Sequence, residues 1–335
     1  MASLRHRAGA LIYDWIPFER NLRAGKWILL HNRAETITSD GRGVQCHWQF
    51  TSDLHIANVF PSTSARILKA ALRDWPIALE DAPPSMSGEE PEITFIIGHR
   101  GLTRLPHLLQ TLRSIAAQRD ASIECIVVEQ SSTREIESAL PNWVRYLHTP
   151  TPSPDFDYSR SWTFNAGAEI ARGRILVLHD NDMLVPQHYA REILGRANEG
   201  WSFIDLKRFV FYLHRNDTQR VFDTGALSTD VHTTVVQNLH GGSVIAARDA
   251  YFDIGGFDES FIGWGGEDND FRERADAHGG VYPFGYLPLV HLFHEPQAGK
   301  IQGNAAPAVQ RYHELAKIPA EERIARLRAL RGARN

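Results

Sequence analysis

Between residues 93 and 180, short apolar runs alternate with stretches of helical spacing. ITFIIG (93–98) is one such run, Leu105, Leu108, Leu109, Leu112 and Ile115 then recur on one helical face, and IECIVVE (123–129) is a second run. Runs of this length predict strands buried on both faces, and the spacing between them predicts an amphipathic helix, so the order reads β-α-β. VRYLH (144–148), a helical stretch from Ser159 to Ala171, and ILVLHD (175–180) continue the alternation. Parallel strands joined by helices bind ligands at their carboxyl ends, which gathers GHRG (98–101), EQSS (129–132) and HDND (179–182) on one sheet edge.

The flanks read differently. KWILLHN, ETITSD, GVQCHWQF and HIANVF are short β-rich runs, and STSARILKAALRDW places Ile67, Leu68 and Leu72 at helical spacing, so residues 1–80 predict a small β-rich module with one helix. LEDAPPSMSGEEPE (79–92) has no apolar periodicity and predicts a linker over 81–92. The α/β domain is then expected over 93–300 and a helical tail over 301–335. In that tail Ile324, Leu327 and Leu330 are surrounded by Arg323, Arg326, Arg328, Arg331 and Arg334. A helix packed on the protein by its apolar stripe fits this pattern best; peripheral contact with an anionic membrane that presents a lipid-linked acceptor is the alternative.

At 335 residues the chain is long enough for a catalytic domain plus an appendage. A formal net charge of -4 argues against a general nucleic-acid binder, which would be clearly basic. Cys46 and Cys125 form no C-x-x-C pair, which leaves zinc or redox chemistry without its usual spacing and makes both small buried hydrophobes. The first twenty residues lack the apolar core of a signal peptide, and no stretch approaches the ~20 apolar residues of a membrane span. A cytoplasmic location is expected, with contact at the inner membrane face through the tail left open.

Three constellations carry chemistry. Asp180-Asn181-Asp182 stands where a strand runs out, and two carboxylates one residue apart there can hold a hard divalent cation with diphosphate oxygens completing its shell. Gly263-Trp264-Gly265-Gly266-Glu267-Asp268-Asn269-Asp270 joins a glycine-rich loop and a flat apolar ring to acids at a helix start. The helix dipole there favours an ionised carboxylate able to take a hydroxyl proton. His291 and His294 follow the strand-like YLPLV, and imidazole suits manganese better than magnesium. The loop after them carries Lys300, placed to meet a phosphate on closure, and Phe156-Asp157-Tyr158 follows a Pro-rich turn.

Residues 93–296 resemble the GT-A glycosyltransferases, and GGSVIAARDAYFDIGGFDESFIGWGGEDNDF resembles the motif shared by inverting galactosyltransferases and bacterial chondroitin-type polymerases. The resemblance implies a GT-A (Rossmann-like) α/β sheet that binds a nucleotide sugar. It makes Asp182 the direct metal ligand, with Asp180 on ribose or metal, His294 completing the site and His291 as accessory ligand, around Mn2+ or Mg2+. Asp268 matches the catalytic base, while Trp264, Gly266 and Glu267 match acceptor-binding positions. Donor contacts are expected from Gly98, His99, Arg100, Glu129, Arg160, Asn165, Asp180 and Gly242. Gly98-His99-Arg100 stands in place of the family's Pro-Phe-Arg loop, so diphosphate contact from Arg100 or Arg160 is better supported than base contact. Retaining relatives with this fold read Gly-Gly-Glu-Asn where this chain reads Gly-Gly-Glu-Asp, which favours inversion. The expected activity moves a hexose of Gal, GalNAc, Glc or GlcNAc type from a UDP-sugar to a glycan or glycolipid hydroxyl. The alternatives are a sugar nucleotidyltransferase and a non-catalytic carbohydrate-binding protein.

Overall fold

A computed structural model describes residues 4–46, 51–84, 90–151, 153, 155–295 and 305–333. The chain opens with helices α1 (Leu4–Tyr13) and α2 (Trp15–Arg23), strands β1 (Thr36–Ile37), β2 (Val44–Gln45) and β3 (Ser52–Asp53), and helices α3 (His55–Val59) and α4 (Ser62–Asp74). Next come β4 (Ile93–His99), α5 (Leu105–Ala116), β5 (Ile123–Ser131), β6 (Arg145–Pro150), α6 (Arg160–Ile170), β7 (Ile175–His179), β8 (Met183–Leu184) and α7 (Tyr189–Asn198). They are followed by β9 (Phe203–Ile204), β10 (Lys207–Leu213), α8 (Arg215–Thr224), β11 (Thr233–Gln237), β12 (Ser243–Ala247), α9 (Arg248–Asp253), α10 (Glu267–Ala277), β13 (Val281–Tyr282) and β14 (Leu287–His291). Helices α11 (Pro307–Leu315) and α12 (Ala320–Gly332) end the described chain.

Seven strands form the central sheet in the order β13-β9-β12-β7-β4-β5-β6, with β7, β4, β5 and β6 parallel and β12 antiparallel to β7. Every residue of β4 is buried, as a strand covered on both faces requires. Ile93, Phe95 and Ile97 face Leu108, Leu112 and Ile115 of α5, whereas Ile96 joins Ile126, Val128, Phe164 and Ala168 on the α6 side. Gly167 lets α6 seat there, because a Cβ at that position would lie 2.3 Å from Ile96 Cγ2. The result is a mixed α/β architecture of GT-A type around a mainly parallel sheet.

A second sheet, β3-β11-β10-β14-β8, stands beside the first. It explains the N-terminal segment. Phe18, Trp27, Leu54, Ile56, Ile67 and Leu68 form one core with Phe209, Phe211, Val235 and Val290, and β3 pairs with β11. Several runs that read as strands are therefore something else: Trp27–Leu29 is a 3-10 turn and His55–Val59 a helix, while β1, β2 and β3 are two residues each. Burial against the second sheet overrides local β-propensity. The helix read at STSARILKAALRDW is present as α4, with Ile67, Leu68 and Ala71 buried.

The residue before the expected linker lies along α5, where Glu80 N–H donates to Arg113 O at 3.0 Å. Helix α12 is docked on the protein. Arg323 is buried and donates to Asp270 Oδ1 at 2.6 Å, Arg331 Nε donates to Gly255 O at 2.7 Å, and Ile324 joins the α6-side core. Two arginines of the proposed membrane face thus hold the helix to the domain, and Arg334 lies outside the described residues. No helix among the described residues is long and apolar enough to cross a membrane.

Candidate active site

The two sheets meet at the end of β7. Asp180 N–H donates to Gly242 O at 2.9 Å, β8 follows the turn, and Met183 pairs with His291 of β14. This register, with Leu292 N–H donating to Asp182 O at 2.8 Å, carries the end of β14 across Asp182. His291 Nε2 lies 3.5 Å from Asp182 Oδ1, and His294 Nε2 lies 3.4 Å from Oδ2. Tyr212 stacks on His291 with 4.2 Å between ring centroids, and His107 Nε2–H donates to Phe293 O at 2.8 Å, so the histidine segment is braced on both sides.

Asp182, His291 and His294 place their ligand atoms within 4.8 Å of one another. Burial raises the Asp182 carboxyl, but His291, Arg104 and His294 outweigh it and hold it below the usual range. Burial pushes His294 down to about 4 against the pull of Asp182, leaving a neutral ring. Asp182 Oδ1 is buried yet takes no hydrogen bond from any described residue. An ionised carboxylate with an unused oxygen beside two imidazoles fits a divalent cation. Asp180 is not part of this trio. Burial pushes its carboxyl up, and Arg160, at 2.7 Å, opposes the rise.

The glycine-rich loop shapes the second half of the site. Gly263, Gly265 and Gly266 adopt φ of 85°, 99° and 91°, a region closed to most side chains. The loop rests on α11, since a Cβ at Gly266 would lie 2.6 Å from Tyr312 Cβ. Helix α10 then starts at Glu267 with Glu267, Asp268 and Asp270 in its first turn. A Cβ at Gly241 would lie 2.1 Å from Asp268 Oδ2, and one at Gly242 would lie 2.7 Å from Met183 Cε. These two glycines let the acid and the β7–β8 turn approach each other.

Arg160, the first residue of α6, joins the two halves. Its Nε donates to Asp180 Oδ1 at 2.7 Å, its Nη1 donates to Asp268 Oδ1 at 2.5 Å, and Glu267 Oε1 lies 3.5 Å from Nη1. Burial works against its charge, but Asp180, Asp268 and Glu267 outweigh it and raise its pKa. Burial and the neighbouring Asp268 push Glu267 up to about 7, with Arg160 opposing. Trp264 is 46% exposed on the loop. Asp270 serves the fold, buried between Arg274 and Arg323.

Several expected donor contacts are occupied inside the protein. Glu129 is buried and accepts from Glu135 N–H at 3.1 Å and Tyr146 O–H at 2.5 Å. Asn165 accepts from Tyr251 O–H at 2.6 Å and Phe257 N–H at 3.0 Å, and donates to Phe257 O and Glu259 Oε1. Both act as braces within the protein. Arg100 donates to Gln130 O at 2.8 Å and Phe156 O at 2.6 Å, tying the loop after β4 to the segment before α6. His99 Nε2–H donates to Gly101 O and its Nδ1 accepts from Asn181, while burial pushes its pKa down to about 4. At Gly98 a Cβ would lie 2.1 Å from Tyr158 Oη. Lys300 and its loop lie outside the described residues. Arg104, which the sequence did not single out, donates to Asp182 Oδ2 at 2.7 Å. Its one sequence signal is that it stands in the loop after a strand that ends at the ligand edge.

A family model described as glycosyl transferase family 2 matches residues 103–251, and one described as N-terminal domain of galactosyltransferase matches residues 232–286. Arg160, Asp180, Asp182 and Asp268 fall within these spans, and His291 and His294 just beyond them. No curated protein matches the chain. Among solved structures, the chain is similar to the mannosyltransferase PcManGT from Pyrobaculum calidifontis in complex with GDP-Man and Mn2+, at 17% identity and TM-score 0.41, over 82% of this chain and 83% of that one. It is also similar to the catalytic domain of Drosophila β1,4-galactosyltransferase 7 in complex with xylobiose, at 15% identity and TM-score 0.38, over 66% of this chain and 79% of that one.

Proposed function

Because this chain is a galactosyltransferase-like glycosyltransferase of the family 2 type on a GT-A fold, we propose that it is an inverting, metal-dependent hexosyltransferase moving a sugar from a UDP-sugar to a hydroxyl of a glycan or glycolipid. The observation that carries this reading is the placement of Asp268. It stands in the first turn of α10 and shares Arg160 with Asp180, two residues before Asp182 of the trio suited to a cation. In this reading the proton acceptor is hydrogen-bonded through Arg160 to the carboxylate of Asp180, two residues before the metal ligand Asp182. The choice of uridine rests on the resemblance of the motifs.

In this reading the carboxylate of Asp268, hydrogen-bonded to Arg160 in the first turn of α10, is the general base. That carboxylate takes the proton of the acceptor hydroxyl as its oxygen bonds to the anomeric carbon. The bond from that carbon to the diphosphate breaks on the opposite face, and the nucleoside diphosphate leaves with the electron pair. Asp182, His291 and His294 would hold a divalent cation, which supplies positive charge against the departing diphosphate. Glu267, near the midpoint of its titration at neutral pH, can donate or accept a hydrogen bond with an acceptor hydroxyl, and Trp264 offers an apolar face to a sugar ring. Asp268→Asn tests the assignment: donor and Mn2+ should still bind while transfer falls about 10²–10⁴-fold, as loss of a general base demands. Transfer at near-normal rate would remove Asp268 from this role.

A further inference from the structure

The guanidinium of Arg104 occupies one of the two carboxylate oxygens of Asp182 and leaves the other, Oδ1, open to a cation. Its Nη1 donates to Asp182 Oδ2 at 2.7 Å, the same oxygen that lies 3.4 Å from His294 Nε2. The two partners come from different elements of the fold. Arg104 ends the turn Leu102–Arg104 after β4, and His294 follows β14. The Arg104 side chain is 28% exposed against 7% for Asp182, so the arginine has an outward path that the carboxylate lacks.

The other two arginines placed at this edge are committed elsewhere. Arg100 is held by the carbonyls of Gln130 and Phe156, and Arg160 by Asp180 and Asp268. Arg104 instead bonds a carboxylate that belongs to the cation trio. A divalent cation held by Asp182, His291 and His294 would lie close to a guanidinium on the same carboxylate, and in a partly buried site the two positive charges repel. That repulsion favours release of the guanidinium when a cation arrives. A released guanidinium keeps its charge and its planar fork, which matches phosphate oxygens.

Resting on the metal-dependent reading above, we propose that Arg104 is an exchange residue that neutralises Asp182 before loading and is transferred to the donor diphosphate when the cation displaces it. Cation and nucleotide then reinforce each other's binding beyond their direct contact. By linkage, each raises the other's affinity by the same factor.

The test uses the full chain with Arg104→Met, which keeps the apolar stem, and Arg104→Lys, which keeps the charge without the fork. Mn2+ binding is followed by electron paramagnetic resonance, and UDP binding by calorimetry or ligand-observed NMR with Mn2+ or with excess chelator. Circular dichroism confirms that each variant is folded. In Arg104→Met, Mn2+ alone should bind more tightly, by about 5-fold or more, the lower end of typical coupling factors. UDP affinity should fall by about tenfold with Mn2+ present and change by less than about twofold in chelator, so that the coupling factor shrinks. Arg104→Lys should fall between wild type and Arg104→Met on each measure. An equal loss of UDP affinity with and without Mn2+ would make Arg104 an ordinary phosphate arm and overturn the exchange. Weaker Mn2+ binding by Arg104→Met would overturn it too, by making the arginine a support for Asp182. If the wild type itself takes no Mn2+, the metal reading has failed and the proposal with it, an outcome recognisable before any variant is examined.

Discussion

Gly241→Ala is a small change with a localised consequence. The added Cβ would lie 2.1 Å from Asp268 Oδ2 and 2.9 Å from Asp268 Cγ, where ordinary contact begins at 3.4 Å. The obstacle is the end of one side chain, so the fold can absorb the methyl by moving that carboxylate more than an ångström. The backbone at Gly241 is not in the left-handed region, so alanine adds no conformational strain there. Moving the carboxylate breaks its 2.5 Å bond with Arg160 and takes the base away from the acceptor. A misplacement of about 1 Å costs on the order of 10² in rate, whereas overpacking of this kind costs about 1–3 kcal/mol at most. Transfer should therefore fall about a hundredfold while urea denaturation shows a modest loss and Mn2+ binding is unchanged, because Gly241 makes no contact with the Asp182 trio. Wild-type transfer by a folded Gly241→Ala enzyme would show that the position of Asp268 does not govern the reaction.

Three further outcomes follow from the same geometry. Asp182→Asn should lose Mn2+ binding by paramagnetic resonance while Asp180→Asn keeps most of it, since Asp180 is bonded to Arg160 and stands outside the trio; equal losses would put Asp180 on the metal. Arg323→Ala leaves the buried Asp270 with only Arg274 and should cost stability toward the lower end of about 3–5 kcal/mol in urea denaturation; a loss under about 1 kcal/mol would mean that α12 is not integral to the domain. The folded pKa of Glu267 is raised from 4.5 to about 7, so the folded protein holds a proton there that the unfolded chain releases. Its contribution to stability is complete below about 4.5 and is lost as pH rises through about 7. Denaturation across that window should show a decline that Glu267→Gln lessens, and identical slopes would contradict the shift.

What the sequence revealed depended on whether the signal was local. β4, α5, β5 and β7 read directly from apolar runs and spacing, because strands covered on both faces leave an unbroken apolar stretch. His291 and His294 were visible as a pair three residues apart beyond a strand. Their approach to Asp182 needed the pairing of β14 with β8, which no local pattern specifies. In the N-terminal segment, Phe18, Trp27 and Leu54 are buried by Phe209 and Phe211, some 150 to 190 residues further on, and that distant packing decided against the strands their neighbours suggested. Polar residues posed a different difficulty. Glu129 near the end of β5 and Asn165 within α6 direct their bonds to Tyr146, Tyr251 and nearby groups, and residue type alone cannot say which way a polar group turns. Arg104 went unnoticed because its partner lies 78 residues away.

Asp268 is proposed to remove the acceptor proton during an inverting transfer. The most direct test compares wild type and Asp268→Asn with a UDP-sugar, Mn2+ and an acceptor, following transfer rate and reading the anomeric configuration of the product by NMR. Slow Mn2+-dependent hydrolysis across a panel of UDP-sugars first identifies the donor. The wild-type product should be inverted relative to the donor, and in Asp268→Asn transfer should fall by about 10²–10⁴-fold with UDP and Mn2+ binding intact. A retained configuration, or transfer by Asp268→Asn near the wild-type rate, would contradict the proposal.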